Sequence, residues 1–163
     1  TRVTIRPLQS ADWGALYAAA SDPLIWAGHP ATDRYKEPVF RDYFASGLAC
    51  GGALVFIDRD SQQVFGSSRF HGFDPGRREV EIGWTFMSRD HWGGGYNEEI
   101  KALLLEHAFQ YVDTVLFWVA ASNVRSRRAM EKIGGVCRDG VYIRELSGDT
   151  PHLVYTIARV DRC

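Results

Sequence analysis

The chain has 163 residues with 19 basic and 20 acidic side chains, a formal net charge of −1. That length suits one domain, expected to span residues 1–163 and to bury roughly two-thirds of its extended surface. The balanced charge excludes the broad basic field that attracts nucleic acid, and no apolar run approaches the ~20 residues that cross a bilayer.

In chain order, Val3–Pro7 alternates as a strand does and lacks the apolar core of a signal peptide, which points to the cytosol. Ser10 is placed to cap a helix reaching about Ala20. Residues 22–37 read as a long connection punctuated by Pro23, Gly28 and Pro30, with Trp26, His29 and Tyr35 along it. Pro38 opens a second helix whose Phe40, Tyr43 and Phe44 form one apolar face, ending near Gly47. Three consecutive strands follow at Ala53–Asp58, 63–73 and 78–87, joined by turns rich in Asp, Ser, Pro and Gly. Cys50, Cys137 and Cys163 are too few and too scattered for a disulfide framework or a metal site, and no metal is expected.

The sharpest feature comes next. Val80, Ile82, Trp84 and Phe86 alternate with Glu79, Glu81, Gly83 and Thr85 as in a strand, while Ile100, Leu103, Leu104, His107, Ala108 and Tyr111 recur at helical spacing. Between them lies Trp92-Gly93-Gly94-Gly95-Tyr96-Asn97. A glycine-rich turn entering a helix offers unpaired N–H groups and the positive end of the helix dipole, a seat for phosphate. Tyr96-Asn97 stands where a nucleotide triphosphatase loop needs Lys-Ser or Lys-Thr, and the three contiguous glycines lack the wider spacing of a dinucleotide fingerprint. Asn97 is placed to cap the helix, and Glu98 and Glu99 should point away from the loop mouth, where they would repel an anion. A strand at Thr114–Ala120 is followed by Asn123-Val124-Arg125-Ser126, a helix to Ile133, Gly134-Gly135, and two strands flanking Ser147-Gly148-Asp149-Thr150-Pro151.

The glycine loop, the Asn-x-x-Ser step and Glu131-Lys132-Ile133-Gly134-Gly135 together resemble the GNAT superfamily of N-acetyltransferases. Trp before the glycines and Ser126 after Asn123 look most like its Rim-type branch, which includes ribosomal-protein N-terminal acetyltransferases. The chain departs from the family pattern at Asn97, usually Gly or Ala, and at Gly135, usually Phe.

The resemblance implies an α/β fold with a central mixed sheet of about seven strands, splayed between the fourth and fifth, and about four helices. It implies acetyl-CoA as cosubstrate. Thr85, Phe86 and Met87 would meet its pantetheine arm, Trp92, Gly93, Gly94, Gly95, Tyr96 and Asn97 its pyrophosphate, and Asn123 and Ser126 the arm and sulfur. Glu81, beside apolar Ile82 and Trp84, suits a general base, or else pairs with Arg69, Arg77 or Arg78; Glu145 is a second candidate. Met130 stands where many members carry an acidic tyrosine, leaving Ser126 as acid, with Tyr96 and Tyr142 as further donors. Arg125, Arg127 and Arg128 could reach phosphate, although a first helical turn more often faces solvent. Residues 22–37 and the turn before the last strand would line the acceptor site, for a small-molecule amine or a protein N-terminus, in a monomer or homodimer. An acyl-CoA-binding module without turnover is the alternative.

Overall fold

A computed structural model describes residues 1–144 and 150–160. The elements run β1 (Val3–Pro7), α1 (Trp13–Ala20), α2 (Pro23–Trp26), α3 (Glu37–Cys50), β2 (Ala53–Asp58), β3 (Val64–Asp74), β4 (Glu79–Met87), α4 (Tyr96–Ala108), β5 (Thr114–Ala120), α5 (Val124–Lys132), β6 (Val136–Cys137), β7 (Tyr142–Ile143) and β8 (Pro151–Ala158). The strands form one mixed sheet in the order β1-β2-β3-β4-β5-β8-β6, with β7 also on β8.

Among the described residues, eight strands and five α-helices stand where about seven and four were expected. The extra strands are the two-residue pairings of β6 and β7 with β8. The extra helix is α2, inside the segment read as a connection: Asp22 Oδ1 accepts the Leu24 N–H at 2.9 Å and Pro23 occupies the first turn. Ser10 belongs to a short 3-10 turn instead of capping α1. Asp12 stands at the N-cap of α1 without capping it through its side chain; its carboxylate accepts the Gln9 N–H at 2.8 Å at the start of the 3-10 turn and is gripped by both Arg6 terminal nitrogens at 2.8 and 2.7 Å.

Apolar faces on both sides of the sheet make two cores. Ile100, Leu104 and Ala108 of α4 and Met130 of α5 pack with Phe65, Val80, Ile82, Val115 and Phe117. Leu16, Trp26, Phe40, Tyr43 and Phe44 of the first three helices pack with Val55 and Phe86. Gly47 sits on the buried side of α3, where a Cβ would come 3.3 Å from an Arg69 terminal nitrogen, so the missing side chain makes room for a guanidinium under the helix.

The strand pair that creates the site is β4 with β5. It is parallel, as a crossover through α4 requires, and its ladder contains only Glu79–Thr114, Val80–Val115 and Glu81–Leu116. Beyond Glu81 the strands part. The cause lies on the other side of β4: between Ser67–Phe86 and Arg69–Gly83, β3 advances two residues while β4 advances three. The extra residue is accommodated with Trp84 at φ 53°, in the left-handed region. A bulge of this kind bends and twists its strand, turning β4 away from β5 from Gly83 onward.

Candidate active site

The gap between β4 and β5 opens a cleft of about 880 Å³. Of the residues expected to meet a cofactor, Thr85, Phe86, Met87, Trp92, Gly93, Asn97, Asn123 and Ser126 line it, as does Glu81. Gly94 and Gly95 stand behind Gly93 in the loop, outside the cleft lining.

The loop has the backbone its sequence predicts. Gly93, Gly94 and Gly95 take φ of 73°, 58° and 84° in succession, a run that side chains with a Cβ resist. Tyr96 N–H reaches Gly93 O at 3.4 Å and Glu99 N–H reaches Gly95 O at 3.1 Å. Among the described residues, the N–H groups of Gly93, Gly94, Gly95 and Asn97 have no internal partner, the donor set an anion needs at a helix start. Glu98 is tied to Lys132, and Glu99 accepts the Arg2 and Val3 N–H groups at 2.6 and 3.1 Å, so both carboxylates are held away from the mouth.

Two expectations in this stretch are corrected. Asn97 does not cap α4; Gly95 does, because its left-handed backbone turns the chain into the helix one residue before Tyr96. Tyr96 itself faces the opposite side: its hydroxyl donates to Asp58 Oδ2 at 2.9 Å and its ring packs against Phe65, His91 and the Arg2 guanidinium. Trp92 acts as a clasp. Its indole donates to Met87 O at 3.0 Å, and the Arg125 guanidinium lies 3.9 Å from its ring, linking β4, the loop and α5. Arg125 lines the cleft, whereas Arg127 and Arg128 do not.

At the other strand end Asn123 is buried and caps α5, its Oδ1 accepting the Ser126 N–H at 3.2 Å. That leaves its amide NH₂ as the free donor. The Ser126 hydroxyl has no internal partner among the described residues. Met130 lines the cleft at the position of the absent tyrosine, and its thioether cannot give a proton. Tyr142 donates to Asp139 O at 3.0 Å, outside the cleft, so it and Tyr96 are both committed elsewhere.

Glu81 closes the β4–β5 ladder and is 6% exposed. Its partner is Arg144, at 2.6 Å, a residue not among the three considered from sequence. Arg77 instead pairs with Asp74 and Arg78 with Asp113, while Arg69 donates to Tyr43 O. Burial raises the Glu81 pKa, and the Arg144 guanidinium works against it, so the carboxylate is kept ionisable within an apolar wall. Glu145 lies outside the described residues.

Lys101 is the residue that sequence reading missed. It follows Asn97 and precedes Leu104 and Ala108 on the stripe of α4 that faces the sheet, so a cation at that spacing was the available signal. It is 5% exposed, donates to Thr85 Oγ1 at 3.3 Å and lies 5.0 Å from the Phe117 ring, at the foot of the gap. Burial without a carboxylate lowers its pKa to about 8.

The segment expected to line the acceptor end does so in part. Trp26 and His29 line the cleft; Tyr35 does not. Burial lowers the His29 pKa to about 4, with nearby Arg34 and Arg125 adding to the effect, so the ring is neutral at pH 7. Its Nδ1 accepts the Ala31 N–H at 3.0 Å, which leaves the ring proton on Nε2. Among the described residues no cluster of His, Cys, Asp and Glu could hold a metal, and no helix is long and apolar enough to cross a membrane.

A parallel strand pair that parts beside a bulge, a glycine loop with unpartnered N–H groups and a buried carboxylate thus lie along one cleft. The family model described as "Acetyltransferase (GNAT) domain" matches residues 2–136, and the chain belongs to that family of acetyltransferases. YnaD of Bacillus subtilis (strain 168), an uncharacterized N-acetyltransferase, is 27% identical over 149 residues, covering 86% of this chain and 82% of that protein. The crystal structure of a GNAT-family acetyltransferase from Bacillus anthracis shares the fold, with TM-score 0.75 and 23% identity over 97% of this chain and 95% of that one. So does the spermidine N-acetyltransferase of Vibrio cholerae in complex with CoA and spermine, with TM-score 0.71 and 15% identity over 96% and 95%.

Proposed function

We propose that this single domain is an acetyl-CoA-dependent N-acetyltransferase acting on the primary amine of a small molecule or peptide N-terminus, built on the Rim-type pattern of Trp92 and Asn-x-x-Ser. The observation that carries this reading is the end of the β4–β5 ladder at Glu81–Leu116, which puts an unpaired strand edge, the loop donors and a buried carboxylate along one cleft. The residues fit the cosubstrate. The β4 backbone at Thr85, Phe86 and Met87 would pair with an extended arm, the loop N–H groups would meet the pyrophosphate, and the Asn123 NH₂ would donate to an arm amide. Bound there, acetyl-CoA supplies an activated acyl group.

Glu81 takes the proton from the acceptor ammonium, directly or through one water, so that the nitrogen is neutral when it reacts. Arg144 holds that carboxylate in place and limits how far burial raises its pKa. Ser126 offers its hydroxyl to the leaving sulfur from the first turn of α5.

Release of free thiol from acetyl-CoA with a panel of amines and peptides tests the reading. Glu81→Gln should lower turnover about 100- to 10,000-fold while leaving acetyl-CoA affinity unchanged, and Ser126→Ala should lower it less. Full activity in both variants would remove the assigned roles.

A further inference from the structure

The acceptor half of the cleft is more cationic than an amine site requires. Among the described residues that line the cleft, five are basic (Arg34, Arg69, Lys101, Arg125 and Arg144) and one, Glu81, is acidic. Arg144 is neutralised by Glu81, Arg125 is stacked on Trp92 beside the loop, and Lys101 lies at the foot of the gap. Arg34 and Arg69 remain, and among the described residues neither makes an ion pair; Asp33 acts on the Arg34 charge only from beyond ion-pair distance.

Their surroundings make this unusual. Arg69 is 5% exposed on β3, opposite Gly83 in the bulge, and donates to Tyr43 O, while its Nε is buried with no hydrogen-bond partner. Arg34 is half-buried, and among the described residues its guanidinium makes no hydrogen bond or ion pair. The two guanidinium carbons lie 4.9 and 4.6 Å from the centre of the same Tyr43 ring, with Arg34 also over Trp26 and Arg69 also over Trp84. Aromatic faces hold such groups in place without cancelling their charge. Burying like charges against one ring is costly unless an anion offsets them, and burial together with the Arg69 charge lowers the Arg34 pKa. Gly47 and the short α2 shape the protein around these two groups, so the arrangement is built into the fold.

We propose that Arg34 and Arg69 form a carboxylate-binding subsite, and that the acceptor is a primary amine carrying a carboxylate, an amino acid in the broad sense. This rests on the N-acetyltransferase reading for the amine end and on the two arginines for the other. A guanidinium fork matches a carboxylate in two parallel hydrogen bonds, a geometry that an ammonium cannot supply. Glu81 stands two residues before Gly83 on β4, roughly 7 Å along the strand, and the Arg69 and Arg144 guanidiniums lie 5.2 and 5.1 Å from the same Trp84 ring. One small molecule can therefore place its carboxylate at Arg34 and Arg69 and its amine at Glu81. Polyamines meet the same two charges as a repulsive wall, the opposite sign from the one they require.

The test is calorimetric titration of the full chain saturated with CoA, using α- and ω-amino acids, each matched to the amine lacking its carboxylate, and spermidine. The carboxylate-bearing member of at least one pair should bind about tenfold to a hundredfold tighter, and spermidine should not compete. Arg34→Gln should abolish that preference, and Arg69→Lys, which keeps the charge but loses the fork, should reduce it. Equal or tighter binding of the decarboxylated partners, no detectable binding of any amino acid, or an intact preference in both variants would overturn the subsite. Turnover of the same panel with acetyl-CoA separates the two readings. A binding preference without thiol release leaves the subsite standing and removes the transferase reading; thiol release favouring decarboxylated amines does the reverse.

Discussion

Glu81 and Lys101 show how burial prepares groups of opposite charge. The Glu81 carboxylate is raised by burial and opposed by Arg144. A base must be deprotonated to act, so kcat/KM should fall as pH drops through the Glu81 pKa. Replacing Arg144 with Met removes the opposing charge, raises that pKa further and should shift the acid limb to higher pH; in Glu81→Gln the limb should disappear. Lys101 carries the reverse shift, with a folded pKa of about 8 against 10.5 when solvated. Folding therefore loses stability at all pH values below 8 and recovers it as pH rises from 8 to 10.5, where the unfolded chain holds the proton more tightly. Lys101→Met should be more stable than the parent at pH 7, by on the order of 3 kcal/mol. Denaturant unfolding should show that advantage shrinking between pH 8 and 10.5. The carboxylate was legible from its place beside Ile82 and Trp84 on an alternating strand. Its partner was not, because Arg144 lies 63 residues further on and reaches it only through the tertiary fold.

At the level of elements, the site depends on two local departures from regular geometry. The first is the left-handed run of Gly93, Gly94 and Gly95, which leaves their N–H groups without an internal partner among the described residues at the start of α4. Gly94 has open space where a Cβ would stand, so Gly94→Ala meets no neighbour and acts through backbone strain alone. That strain is worth ~1–2 kcal/mol, and CoA binding should weaken about tenfold while circular dichroism is unchanged. The second departure is the bulge at Trp84. Both glycines and strand alternation are visible in a sequence, and the loop was read from them. The bulge carries only a faint mark, Gly83 alone within the strand pattern, and the residue at positive φ is the tryptophan beside it, an unusual choice for that conformation. Likewise α2 was read as a connection, because Pro23, Gly28 and Pro30 mask a helix of only four residues.

For the whole molecule, the sheet joins two cores, and the cleft runs between their strands, so anything seated in it braces both halves. A ligand at about 100 times its dissociation constant adds roughly 2.7 kcal/mol. In a chain of this size, acetyl-CoA and CoA should each raise the thermal midpoint by about 5–10 °C, and ATP and NAD should not match them. A scan in the presence of each ligand measures this directly. The aromatic belt of Trp26, Phe40, Tyr43 and Phe86 against β4 couples the acceptor end to the same unit.

The sequence alone determined the order of the main elements, the phosphate-type loop, the Asn-x-x-Ser step and the choice of family, because each is encoded by residues close together in the chain. Periodicity, glycine runs and caps are local physics. Only the tertiary structure decided which charges are paired. Arg144 reaches Glu81 across 63 positions, Lys101 is enclosed by β4 and β5, and Arg34 meets Arg69 at Tyr43 from separate elements. Coulomb energy and desolvation depend on distance and burial, which composition leaves unspecified. A chain with nearly equal numbers of acids and bases therefore encloses a cleft whose described charged lining is mostly cationic, and the proposed choice of acceptor rests on that local excess.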